Sequence, residues 1–302
     1  MQQCRNCRSG NVKDLGFVGE VAPFFLKRVL NMEVRPAMAS HPLRLFARPA
    51  CALPQRFFEK VYGSRAYVEM QVCLDCSFVQ TKRAFADADL GRLYADYRSS
   101  SYNEERIHYE PTYAALAEHV GACDQEVEMR VGRLTAWLAG KIQADGEFAM
   151  LDYGGSDGRF LPSIKGDKFV FEISNTLPVA GVVGIAEEAY LSTYSYVQCA
   201  HVLEHVPEPL ALLKRVASHV KPSGYLYIEV PQDLPDSRIA ELKGGRTRPG
   251  VVVHEHINIY CPASVTALVK AAGLTPIAIE PTRVELGWIS GTNVRALCRS
   301  QL

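Results

Sequence analysis

Three groups of residues in this chain have the types and spacing that chemistry requires. The first is Asp152-Tyr153-Gly154-Gly155-Ser156-Asp157-Gly158, which follows the apolar run Phe148 to Leu151. Glu172 comes about twenty residues after Asp152, at the end of Phe169-Val170-Phe171. Strand, glycine turn, helix, strand and acid together read as a nucleotide-cofactor site. The glycines let backbone approach a ligand at the first βα turn, and a carboxylate at the tip of the next strand can hydrogen-bond two ribose hydroxyls. The second group is two cysteine pairs, Cys4-x-x-Cys7 and Cys73-x-x-Cys76, and the third is a set of histidines beside acids, His201 to His205 and His254-Glu255-His256.

A dinucleotide asks for Gly-x-Gly-x-x-Gly, with amides and a helix N-terminus facing its pyrophosphate. This turn breaks that register. Counted from Gly154 the third position is Ser156; counted from Gly155 it is Asp157, a negative charge where phosphate would sit. S-adenosylmethionine carries no phosphate and has a cationic sulfonium, so an acid-flanked glycine turn suits it better. The residues expected to hold it are Asp152, Gly154, Gly155, Ser156, Gly158 and Glu172, with Ala186 and Glu187 near the adenine and Ala200 and His201 at the methionine end. The bland alternative is an ordinary βα turn in an unrelated α/β protein.

Each cysteine pair can wrap a turn around one tetrahedral metal, and four thiolates close the coordination sphere, which makes a zinc held by Cys4, Cys7, Cys73 and Cys76 structural rather than catalytic. The loop between the pairs, about 65 residues, is longer than in the usual zinc ribbon, so the pairs could also serve separate purposes. Inside it, Lys27, Arg28, Arg35, Arg44, Arg48, Arg56 and Lys60 interleave with Phe24, Phe25, Phe46, Phe57 and Phe58. Such a mixture is either an insertion that buries its aromatics and solvates its charges, or a handle for a phosphate-bearing substrate or nucleic acid.

His201 follows the buried-strand pattern Tyr194 to Ala200, beside the point where ligands bind in open α/β sheets, and is expected to touch the cofactor or the acceptor. His205 reads as a residue that caps or packs the next helix. His254 and His256 could ligate a metal with Glu255, but i and i+2 in a strand point to opposite faces, so we read the segment as acid–base, where an imidazole with a pKa near 6.5 can take a proton at neutral pH.

Apolar residues near a 3.6 period predict helices from Ala88 to about Lys141, with Tyr94, Tyr97, Tyr102, Tyr109 and Tyr113, together with Arg98 and Arg106, either packing a core or covering a pocket. The segment Gly181 to Ile185 is a short third strand, Pro209 to Val220 a helix stopped by Lys221-Pro222-Ser223-Gly224, and Tyr225 to Val230 a fifth strand. A helix from Ala263 to Ala271 and strands Leu274 to Glu280 and Asn293 to Cys298 complete seven strands. The expected architecture is α/β, a Rossmann-like, mostly parallel seven-stranded sheet with flanking helices plus a small four-cysteine lobe. Along the chain this divides into a zinc-binding lobe at 1–85, a helical linker and cofactor cover at 86–145, and a catalytic domain at 146–302.

The order of acid, glycine turn and second acid, together with Cys199 to Pro231 (CAHVLEHVPEPLALLKRVASHVKPSGYLYIEVP), resembles class I S-adenosylmethionine-dependent methyltransferases. That resemblance implies a final antiparallel strand inserted between the fifth and sixth. Paired cysteines followed by His-Glu-His resemble, more narrowly, the zinc-containing sugar methyltransferases, which include C-methyltransferases acting on nucleotide-linked keto sugars. In that group a Tyr-His-Glu-His segment provides the base. Here His254, Glu255 and His256 match, with His256 at the base position, but Val253 stands in place of the tyrosine and the chain ends at Leu302, without the carboxy-terminal domain of those C-methyltransferases. The reading that follows is methyl transfer to a hydroxyl on a sugar, nucleotide-linked sugar or glycan precursor, with His256 as base and Glu255 as its orienting or substrate-binding partner.

Composition limits the rivals. A chain of 302 residues, 48% hydrophobic, can bury a large core, and a formal net charge of zero argues against a protein built to grip a phosphate backbone. No apolar run is long enough to span a bilayer and no basic-then-apolar leader opens the chain, so a cytoplasmic protein is expected. Nine cysteines, with Cys51, Cys123, Cys199, Cys261 and Cys298 standing alone, speak against a secreted disulfide framework. Two other classes remain, an RNA methyltransferase whose cysteine lobe holds RNA, and a protein that binds the cofactor without turnover.

Overall fold

The computed structural model describes residues 3–36, 66–97, 99–117, 119, 123–144, 146–174, 176–186, 193–246, 251–286 and 289–300. Alternating burial along β1 (Val12–Val21) leads into α1 (Pro23–Arg28), which starts with proline at its first turn and buries Phe24, Phe25 and Leu26. β2 (Ala66–Cys73) and β3 (Val79–Thr81) follow. Helices α2 (Asp87–Tyr94), α3 (Ser100–Tyr109), α4 (Ala114–Ala117) and α5 (Asp124–Leu138) then cross to the second half, within the span that the periodicity predicts. The side chain of Ser99 caps α3 by accepting the Tyr102 amide, 3.2 Å.

The second half alternates strand and connection: β4 (Ala149–Tyr153), β5 (Asp167–Phe171), β6 (Val183–Gly184), β7 (Tyr194–Ala200), α6 (Pro209–Ala217), β8 (Val220–Pro231), α7 (Asp236–Lys243), β9 (Val251–Val253), β10 (Asn258–Ile259), α8 (Pro262–Ala271), β11 (Thr275–Leu286) and β12 (Ile289–Arg299). Seven of these strands form one sheet in the order β11-β12-β8-β7-β4-β5-β6. The chain steps outward from β4 through β5 to β6, then returns to place β7 on the other side of β4, which is where such a sheet opens a crevice for a ligand. The final strand β12 lies antiparallel between β8 and β11, as the family resemblance implies. The sheet is mixed: β11 and β12, 12 and 11 residues long, make its longest ladder an antiparallel one.

Two expectations about boundaries change. Helix α6 ends at Ala217, and Lys221 to Gly224 lie inside β8 as a bulge, since the pairing jumps from Tyr194↔Val220 to Tyr196↔Tyr225. An extra stretch on one strand accommodates a proline that a regular ladder would reject. The second sheet, order β10-β3-β2-β1-β9, draws β9 and β10 from residues 251–259 to flank strands from the amino-terminal segment. β9 runs parallel to β1, with Gly19↔Val251 and Val21↔Val253 in register. Among the described residues no helix is long and apolar enough to cross a membrane.

Candidate functional site

Asp152 ends β4, almost fully buried, with its Oδ1 accepting from Gln198 Nε2 at 3.3 Å and its Oδ2 receiving no hydrogen bond among the described residues. Burial pushes its carboxyl up to about 7, against the opposing pull of Arg130 and Gln198. The glycines after it are required sterically. A Cβ on Gly155 would lie 2.1 Å from the Asp152 carboxyl carbon, and one on Gly154, whose φ is +71°, would lie 2.8 Å from Val202. Glu172 joins this turn to the next strand, accepting the Ser156 amide at 2.9 Å and the Ser174 amide at 2.8 Å. Ser156 holds a left-handed φ of 57° to make that contact possible. An unpartnered buried carboxylate oxygen and a cradle that any Cβ would fill fit a cofactor with a cationic centre and a ribose.

Asp157 does not present a bare charge, because Arg159 meets it at 2.5 Å. The argument that its charge alone bars phosphate is weaker than the sequence suggests. Ala200 ends β7 beside a cleft lined by Arg130, Phe160, Gln198 and Glu229, none of which the sequence singles out as site residues. Ala186 is exposed just past β6. Glu187 lies outside the described residues, as do Arg98 and the basic and aromatic residues Arg44, Phe46, Arg48, Arg56, Phe57, Phe58 and Lys60.

On the far side of Val202 stands a second polar group. His201 adopts a φ of 57°, with Nε2 3.2 Å from Glu229 Oε1 and Nδ1 3.4 Å from Glu204 Oε1. Burial and Arg130 lower its pKa, but Glu204 and Glu229 outweigh them and raise it to about 9, so His201 is a fixed cation rather than a base at neutral pH. Glu255 is buried in an ion pair with Arg106, whose guanidinium also lies 3.9 Å from the Tyr113 ring centre. Burial alone would raise the Glu255 carboxyl, and Arg106 reverses this to about 2. Its partner is therefore Arg106, and the residue that orients His256 is Asp233, with Oδ2 2.9 Å from His256 Nδ1.

His205 is not a cap but part of this group: Nδ1 lies 2.7 Å from the Tyr94 hydroxyl and 3.3 Å from the Glu255 carbonyl oxygen. Tyr102 is fully buried core, as an aromatic stripe at helical spacing ordinarily is. His254 and His256 follow β9, with rings 4.6 Å apart, and one ligand atom from each of Glu204, His205 and His256 falls within 4.8 Å of the others. Setting metal ligation aside at residues 254–256 weighed only neighbours in sequence, whereas the neighbours in space are residues 204 and 205. Glu204 is the residue that sequence reasoning missed; a carboxylate between His201 and His205 was the available signal.

The four cysteines do converge. Cys4 Sγ lies 3.7 Å from Cys76 Sγ, Cys7 Sγ lies 3.7 Å from Cys73 Sγ, and all four fall within 4.8 Å of one another. A tetrahedron with metal–sulfur bonds of about 2.3 Å has edges of about 3.8 Å, so this spacing suits one tetrahedral ion. The two turns match: Arg8 N–H donates to Cys4 O and Ser77 N–H to Cys73 O, both at 2.9 Å, and Arg8 and Ser77 share a left-handed φ. Beyond the cluster, Tyr260 packs 5.0 Å from Phe78, centre to centre, and donates to Leu203 O at 3.3 Å, next to Glu204.

Residues 124–279, just over half of the chain, match the family model described as a methyltransferase domain. The chain belongs to the methyltransferase-domain family. The methyltransferase is 30% identical over 90 residues to a ubiquinone biosynthesis O-methyltransferase of Vibrio campbellii (strain ATCC BAA-1116), covering 29% of this chain and 38% of that protein. To the protein of the same name from Xanthomonas axonopodis pv. citri (strain 306) it is 29% identical over 120 residues, covering 37% and 49%. The methyltransferase thus spans less than half the length of these curated relatives. Among solved structures it is similar to 1,6-didemethyltoxoflavin-N1-methyltransferase of Burkholderia thailandensis, determined with 1,6-didemethyltoxoflavin and S-adenosylhomocysteine, at a TM-score of 0.48 and 14% identity over 76% of this chain and 98% of that one.

Proposed function

We propose that the methyltransferase modifies a hydroxyl of a small molecule, in the form of a sugar or nucleotide-linked sugar. The observation that carries this reading is His256, whose Nδ1 is occupied by Asp233, leaving Nε2 to act on an acceptor O–H. The O-methyltransferase name of the relatives supports oxygen as the acceptor atom, and the four-cysteine lobe with its His-Glu-His segment supports the sugar class.

Bound at the glycine turn, S-adenosylmethionine would supply an electrophilic methyl group. Glu172 is placed for the ribose hydroxyls and Asp152 for a cationic portion of the ligand. Displacement at a sulfonium gains most from alignment of the reacting atoms, which rigid groups such as the His201 clamp and the Arg106–Glu255 pair favour by fixing the loops around the acceptor. Cys4, Cys7, Cys73 and Cys76 would hold zinc as a closed site that stabilises the fold and takes no part in the reaction.

Calorimetry with S-adenosylmethionine tests the cofactor site, and transfer of labelled methyl to nucleotide sugars, glycans, phenols and RNA tests the acceptor. Label on a sugar hydroxyl is expected. Label on RNA alone, or cofactor binding with no transfer to any acceptor, would overturn the reading.

A further inference from the structure

Glu204 is fully buried, and neither of its carboxylate oxygens receives a hydrogen bond among the described residues. The nearest nitrogens are His201 Nδ1 at 3.4 Å and His205 Nε2 at 3.7 Å from Oε1, neither with hydrogen-bond geometry, and His201 is closer to Glu229, at 3.2 Å. Among the described residues His201 is the one charged imidazole facing this carboxylate, and it is drawn closer to Glu229, so a buried carboxylate stripped of water is only partly compensated.

Two imidazoles turn the same kind of atom toward it. The Asp233 carboxylate can only accept, so it fixes the proton of neutral His256 on Nδ1 and leaves a lone pair on Nε2. The Glu255 carbonyl, 3.3 Å from His205 Nδ1, also only accepts, and in the tautomer that donates to it the second lone pair falls on Nε2. The Tyr94 hydroxyl, at the end of α2, lies 2.7 Å from the same nitrogen and accepts from it in that tautomer. In that tautomer a buried carboxylate oxygen and two imidazole nitrogens of half-buried rings, within 4.8 Å of one another, offer their lone pairs to one site. Their outer contacts, a carboxylate on one ring and a carbonyl on the other, are those that orient metal-bound histidines.

We propose that Glu204, His205 and His256 bind a first-row divalent cation, and that this cation binds the acceptor's oxygen. The proposal rests on the methyl-transfer reading and deepens it: His256 acts on the hydroxyl through the cation instead of taking its proton. Three protein ligands leave coordination positions open, in contrast to the closed four-sulfur cluster. An acceptor oxygen occupying one of them forms a bond to the metal, its O–H bond breaks, and the proton passes to water, with no change of oxidation state. An acceptor with two adjacent oxygens, as in a vicinal diol or a hydroxy ketone, would fill two positions, which gives the site a selectivity that a lone imidazole lacks.

The test is titration of the full-length, zinc-loaded chain with Mn2+, a cation that prefers nitrogen and oxygen over thiolate, followed by the electron paramagnetic resonance signal of the free ion. One Mn2+ bound per wild-type chain is expected. Glu204→Gln and His256→Gln should each weaken it by about a hundredfold, and Asp233→Asn by about tenfold. Calorimetry with S-adenosylmethionine on the same samples shows which variants are folded, and His205→Gln replaces Glu204→Gln should that variant fail to fold. No Mn2+ uptake by the wild type, or uptake unchanged in the folded variants, overturns the cation site. Wild-type transfer activity that persists without Mn2+ uptake would leave the methyl-transfer reading standing and sink the cation alone, whereas Mn2+ uptake by a chain that does not bind S-adenosylmethionine would sink the methyl-transfer mechanism and the role assigned to the cation with it.

Discussion

The glycine turn on the seven-stranded sheet and the side-chain clusters around the five-stranded sheet are built on opposite principles. At Asp152 to Gly158 the working surface is backbone, made by positive φ angles at Gly154, Ser156 and Gly158 and by Cβ atoms that are not there. At the cysteines and histidines the working surface is side chain, and the backbone serves to bring together residues as distant in sequence as Cys4 and Cys76 or Glu204 and His256. A surface of the first kind fails when an atom is added. One of the second kind fails when an atom is removed.

Loss of the metal from the cysteine cluster should have the largest effect. A structural zinc contributes on the order of 10 kcal/mol, so stripping it with a chelator, or Cys7→Ser, should lower the calorimetric melting temperature by more than about 10 °C. An unchanged melting temperature would make the cluster four idle thiols. Next is Glu255→Gln, which leaves the buried Arg106 guanidinium with Glu110 as its one carboxylate among the described residues and should cost about 3 kcal/mol in urea unfolding. Gly155→Ala adds a methyl where the Asp152 carboxyl sits, and calorimetry should show S-adenosylmethionine binding weakened by about a hundredfold, or about 2.7 kcal/mol. Gly91→Ala, which meets nothing within 4 Å, is the matched control and should leave binding intact. Equal effects of the two alanines would erase the contrast between the surfaces.

The smallest effect is a pH dependence. Asp152 has a pKa of about 7 in place of 3.8, so the unliganded carboxyl is protonated below that pH, while a cationic ligand requires it ionised. Affinity should therefore fall on acidification below about pH 7, by up to tenfold per unit, about 1.4 kcal/mol, and Asp152→Asn should flatten the profile. Stability runs the other way. Between pH 3.8 and about 7 the folded state binds more protons at Asp152 than the unfolded state does, so this residue lowers stability as pH rises through that window.

How much of this was legible in the sequence follows the same division. The cofactor turn was readable because Asp152, the glycines and Glu172 lie on β4, the connection after it and the end of β5, where spacing alone carries the geometry, although the helix expected between those strands does not form and turns connect them instead. The strand at Tyr194 to Ala200 was readable from its apolar run, and its limits agree with β7. The histidine group was not, because its members come from α2, the loop after β7, the connection between β8 and α7 and the segment after β9, and no local period joins them. Glu255 illustrates the difficulty: adjacency to His256 suggested a partner, but the buried charge found Arg106 on α3 instead. The bulge at Lys221 to Gly224 was hidden for a similar reason, since a proline and a glycine beyond a helix also mark its end.

The parallel pairing of β1 with β9 bears on how the chain is made. Gly19 emerges from the ribosome about 230 residues before its partner Val251, and at 5–20 residues per second that delay is about 10 to 50 s. Throughout it, the amino-terminal sheet lacks both flanking strands and exposes the edges of β1 and β3, templates for pairing with other chains. If zinc joins the cysteine turns as soon as Cys76 is out, the ion would hold β1 and β2 in register through that interval, a service performed once in the life of each molecule.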